Sequence, residues 1–71
     1  MPSATALQFQ RVAGRLGFEF ARSTGSHERW IHPDGRSVTI SVHGGKGIGP
    51  LLFFKILRQL GVHTVELNRL R

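Results

Sequence analysis

The segment from Ser26 to Val42 restricts the fold more than any other part of the chain. Trp30 and then Val38, Ile40 and Val42 recur with the period of two that a half-buried strand requires. Between them stands Pro33-Asp34-Gly35, which combines a fixed φ, a side chain that accepts from its own backbone and a residue tolerant of positive φ. Such a triplet between two alternating runs closes a β-hairpin and commits the chain to an antiparallel sheet. Upstream, Phe18 to Ser23 alternates in the same way, and Thr24-Gly25 turns it into the strand from Ser26 to His32. With Arg36 to Val42 as the third strand, turns this short predict a three-stranded meander.

Helical periodicity flanks the meander. Phe9, Val12, Ala13 and Leu16 share one face, and Thr5 with Gln8 has capping-box spacing, with Ser3 as a competing cap. Gly14 within this helix predicts close packing against a neighbour, and Gly17 is placed to end it. Pro50 suits the first turn of a second helix, which runs from Leu51 to Leu60 with Phe53, Ile56, Leu57 and Leu60 on its apolar side, before Gly61 stops it. A last short helix is expected over Val65–Leu70, capped by Thr64. The order α-β-β-β-α in 71 residues describes one α+β domain over residues 1–71, a three-stranded antiparallel sheet with its helices on one face. The core face should carry Phe18, Phe20, Trp30, Val38, Ile40 and Val42. The opposite face should carry Glu19, Ala21, His27, Arg29, Ile31, Thr39, Ser41 and His43, a polar and basic surface open to a partner.

Charge narrows the partner. Ten basic residues, eight of them arginine, against four acidic ones give a net charge of +6. The guanidinium fork matches phosphate oxygens, so the excess favours nucleic acid, although an acidic protein would also satisfy it. No cysteine is present, which removes disulfides and thiolate metal sites. No apolar run approaches the roughly 18 residues of a membrane span, so an intracellular protein without membrane attachment is expected. Of the four histidines, no pair has zinc-site spacing, and neither a metal nor another cofactor is expected. His27 lies on the presumed open face beside Arg29. An imidazole with a reference pKa of about 6.5 serves as acid or base near neutrality. The run Gly44-Gly45-Lys46-Gly47-Ile48-Gly49 reads either as a phosphate cradle at a helix start, with Lys46 as a point charge, or as a flexible link. His32 and His43 border turns, where bonding to backbone is the expected role, and His63 is expected on the surface. No aromatic platform for single-stranded bases is expected on the open face.

Gly17-Phe18-Glu19, Gly25-Ser26-His27, His32-Pro33-Asp34-Gly35-Arg36, Val42-His43-Gly44-Gly45-Lys46 and Ile56-Leu57-Arg58-Gln59 with Gly61, in this order and spacing, closely resemble the HicA family of toxins. The resemblance covers roughly residues 6 to 62. It implies a double-stranded-RNA-binding-like fold, mRNA interferase activity and neutralisation by a cognate HicB-like antitoxin. It also places the family's catalytic histidine on His27, and with it the RNA-binding set becomes Ser26, Arg29, Gly44, Gly45 and Lys46. The chain departs from the family at Glu28, where relatives often carry histidine or a polar residue. Glu28 would either orient the imidazole or repel RNA. The run Gly49 to Phe54 is more apolar than usual, and Phe54, off the main stripe, is expected to be partly exposed toward a partner. A non-catalytic RNA-binding module of the same fold, or an inactive module that only meets an acidic antitoxin, has the same sequence features.

Overall fold

The structure, a computed structural model, describes residues 4–42 and 47–71. In chain order the elements are β1 (Ala4–Thr5), α1 (Ala6–Arg15), β2 (Glu19–Thr24), β3 (His27–Ile31), β4 (Ser37–Ser41), β5 (Gly47–Ile48), α2 (Pro50–Leu60) and α3 (Thr64–Leu70). Strands β2, β3 and β4 form the expected antiparallel meander in that spatial order. The expected α-β-β-β-α arrangement is therefore present. A second, two-stranded sheet is added by β1 and β5, which pair Ala4 with Ile48 and Thr5 with Gly47.

The capping box forms at Thr5. Its Oγ1 accepts the Gln8 N–H at 3.2 Å, and Gln8 Oε1 accepts the Thr5 N–H at 3.0 Å, which satisfies two donors that the first turn leaves free. Gly17, at φ +97°, takes the chain out of α1 in the left-handed conformation. Pro50 opens α2, and Gly61 closes it at φ +78°. The last helix starts one residue earlier than expected: Thr64 is helical, and His63 is the cap, its N–H donating to Glu66 Oε1 at 3.4 Å.

One core joins these elements. Phe9, Val12 and Ala13 of α1, Val38 and Ile40 of β4, Phe53, Ile56, Leu57 and Leu60 of α2, and Leu67 of α3 are all buried. Phe9 and Phe53 meet with ring centroids 5.6 Å apart at a tilted angle, a geometry that adds to their area burial. Three expectations change. Gly14 is exposed and a Cβ there would meet nothing within 4 Å, so no close neighbour accounts for it. Phe20 shares the Trp30 side of the sheet but is 51% exposed, because β2 is the edge strand farthest from β4, which the helices cover. Its main shelter is the Trp30 ring, edge-on at 5.8 Å. Ser41, expected on the open face, is only 6% exposed.

Candidate active site

The turn between β2 and β3 places His27. Thr24 and His27 are paired, with Gly25 and Ser26 between them as a two-residue loop. Gly25 has φ +59°, and Ser26 has no positive φ, the sign pattern of a hairpin turn with glycine at its first central position. The Ser26 carbonyl accepts the Val42 N–H at 2.7 Å, which continues the β3–β4 ladder past its end and fixes the base of the turn. His27 therefore begins a strand on firm backbone while its side chain is exposed.

Register decides what surrounds it, because directly opposed residues of an antiparallel pair share a face. His27 is opposed by Thr24 on one side and Ser41 on the other; Arg29 is opposed by Arg22 and Thr39; Ile31 by Glu19 and Ser37. The open face thus holds His27, Arg29 and Ile31 with the threonines and serines of the flanking strands. Arg22 joins this face through a bulge. Between Phe20 and Arg22 the register shifts, so Ala21 and Arg22 together oppose Arg29. Strict alternation would have placed Ala21 here and turned Arg22 to the other side. Arg29 spans its neighbours, donating from Nη2 to Ser37 Oγ at 2.9 Å and from Nη1 to Thr39 Oγ1 at 3.4 Å. The Arg22 side chain has no hydrogen-bond or ion-pair partner among the described residues.

Two open clefts meet at His27. One, of about 300 Å³, runs between β4 and α2 and is lined by His27, Thr39, Ser41, Leu52, Lys55, Ile56 and Gln59. The other, of about 210 Å³, runs toward β2 and is lined by Arg22, Thr24, Glu28, Arg29 and Thr39 as well as His27. Gln59 holds the first cleft to its width. Its Oε1 accepts the Thr39 N–H at 3.1 Å, so the free edge of β4 is tied to α2. A small sheet face with one imidazole and cations on both sides is suited to an anionic chain.

Glu28 does not orient His27. It points to the helix side of the sheet, where its Oε1 accepts from Gln10 Nε2 at 2.7 Å and from Trp30 Nε1 at 3.2 Å. The reading of Glu28 as an imidazole partner gives way to a structural one, since alternation turns residue 28 away from residue 27, although residue 28 contributes to the lining of the second cleft. His32 has the backbone role expected of it. Its Nε2 lies 3.1 Å from the Leu16 carbonyl, and its Nδ1 lies 3.0 Å from the Asp34 backbone nitrogen and 2.9 Å from Asp34 Oδ1. Of the expected RNA ligands, Ser26 and Arg29 flank His27. Gly44, Gly45 and Lys46, with His43, lie outside the described residues. Part of the glycine run is not a free cradle, because Gly47 and Ile48 form β5. The cations that sequence reading missed are Arg22 and Lys55, together with Gln59. Only the bulge and the seating of α2 against β4 bring them to His27.

No curated protein matches the chain. A family model described as "HicA toxin of bacterial toxin-antitoxin" matches residues 8–62, which cover most of α1, the whole meander, both walls of the clefts and α2. The chain therefore belongs to the HicA family of toxins of bacterial toxin–antitoxin systems.

Proposed function

We propose that the chain is an mRNA interferase, an endoribonuclease in which His27 moves the proton and the cations around it hold the phosphates. Membership of the family implies a toxin with a cognate antitoxin, and toxins of this family are generally ribonucleases. The observation that carries the reading is the position of His27, exposed and shared by two clefts with Arg22 and Arg29 on one side and Lys55 on the other.

Cleavage through the 2′-hydroxyl needs a base for its proton, an acid for the departing 5′-oxygen and positive charge around the phosphorane. His27 takes the first or supplies the second of these protons. The guanidinium of Arg29, already braced by Ser37 and Thr39, presents its remaining donors to a phosphate without first losing side-chain freedom. The bond that forms joins the 2′-oxygen to phosphorus and the bond that breaks is P–O5′, so the products are a 2′,3′-cyclic phosphate and a 5′-hydroxyl. The substrate is mRNA in the cytoplasm, and a HicB-like antitoxin neutralises the toxin.

The test is incubation of the purified chain with RNA in EDTA, alongside controlled expression in growing cells. Cleavage with 2′,3′-cyclic phosphate ends, and growth arrest that the antitoxin reverses, are expected. Tight RNA binding without cleavage would replace this reading with the non-catalytic RNA-binding module.

A further inference from the structure

We infer that Lys55 and Gln59 of α2 form a second phosphate subsite, across His27 from Arg22 and Arg29, so that the RNA backbone crosses the sheet from β2 to α2 rather than running along a strand. This inference rests on the proposed RNA-cleaving function and specifies how the substrate lies on it.

Three observations support the crossing. The first is spacing. Strands in a sheet lie about 4.7–4.9 Å apart, so Arg22 on β2 and the Thr39–Ser41 segment of β4 are separated by about 10 Å, with α2 beyond. Arg22 and Lys55 line different clefts, and His27 lines both, so a chain of phosphates laid from one wall to the other passes over His27. The second is availability. Lys55 is exposed and lines the cleft, and its side chain, like that of Arg22, has no hydrogen-bond or ion-pair partner among the described residues. By contrast Arg36 is consumed by the fold: it donates to Asp34 Oδ2 at 2.7 Å and to the Leu60 carbonyl at 2.7 Å. The third is the orientation of Gln59. A backbone N–H can meet only the oxygen of an amide, so the bond from Thr39 fixes Oε1 toward the strand. The Gln59 NH₂ is then the group left over, a neutral donor on the cleft wall one helical turn from Lys55. Along the strand direction the face is less favourable. It ends at Ile31, 45% exposed, opposite Glu19, an apolar side chain and a like charge for an RNA phosphate.

The experiment measures RNA binding as a function of salt, on the His27→Ala background so that the RNA stays intact. A single-stranded oligonucleotide is the probe. Lys55→Gln and Arg22→Gln are each expected to reduce the slope of log K against log salt by about 0.7, the value for one phosphate contact to a single strand. Lys55→Arg should restore the slope. Gln59→Glu retains an acceptor for the Thr39 N–H and so keeps the strand tied, but it replaces the donor on the cleft wall with a negative charge. It is expected to fold normally and to bind RNA at least 10-fold more weakly. Arg69→Gln, on α3 and lining neither cleft, should lose less slope than Lys55→Gln. If Lys55→Gln and Gln59→Glu bind with the slope and affinity of their parent, the crossing is overturned. The function itself is judged separately by whether the chain with His27 intact cleaves RNA.

Discussion

At the scale of single residues, two glycines with opposite roles give opposite expectations. Gly14 is helical and exposed, and its position leaves open space for a methyl group. Alanine there recovers the backbone entropy that glycine loses on folding, so Gly14→Ala should stabilise the domain by roughly 0.5–1 kcal/mol and raise its melting temperature. Gly61 sits at φ +78°, and a Cβ on it would lie 2.8 Å from Arg36 Nη1. Gly61→Ala should destabilise by about 1–2 kcal/mol from the left-handed backbone alone. It should also displace the guanidinium that lies 5.2 Å above the Phe18 ring and bonds Leu60. A denaturant titration of both variants checks the pair. Asp34, in the same clasp, has its pKa lowered, first by the backbone N–H of Arg36, which favours the ionised carboxylate, and further by the Arg36 side chain and by His32. A depressed carboxylate contributes stability above its unfolded value near 3.9, and that contribution is lost as pH falls through the lower folded value. The advantage of the native chain over Asp34→Ala should therefore be present at neutral pH and shrink below about pH 4.

At the scale of elements, periodicity made most of the fold legible. The meander, α1 and α2 all repeat their apolar residues at the spacing their geometry demands, and Thr5, Gly17, Pro50 and Gly61 mark their ends. What periodicity cannot carry was missed. The strands β1 and β5 have two residues each, too short to show a period, and their pairing joins positions more than 40 residues apart. The bulge at Ala21 leaves no mark in composition, yet it alone brings Arg22 to the face of His27. The candidate site was therefore readable at Ser26, His27 and Arg29, which lie together in sequence. It was unreadable at Lys55 and Gln59, which depend on where α2 packs. Burial also grades the aromatic residues. Phe53 is completely buried, and Phe53→Ala should cost about 3–5 kcal/mol. Trp30, on the middle strand, is only half-buried, so Trp30→Ala should cost less than Phe53→Ala in the same thermal melt.

At the scale of the whole molecule, a 71-residue domain divides its surface by face. Apolar residues of three helices and β4 collect on one side of the sheet, and the other side carries an imidazole, two arginines and small hydroxyl residues, with Ile31 and Glu19 at one end. The division matters because a domain of this size has only about 60% burial to hold it together, and a charged working surface adds nothing to that. Under the proposed function, the proton-transferring group should sit where removing it costs the fold little. His27 meets that condition: it is exposed, at a strand end, and makes no side-chain hydrogen bond among the described residues. The most direct measurement compares His27→Ala with the native chain for stability, RNA affinity and turnover. Melting should change by roughly 0.5 kcal/mol or less and affinity only modestly, while cleavage falls by at least the ~10²–10⁴-fold that a positioned acid or base supplies. Cleavage by His27→Ala at the native rate, with contaminating nucleases excluded, would contradict the assignment.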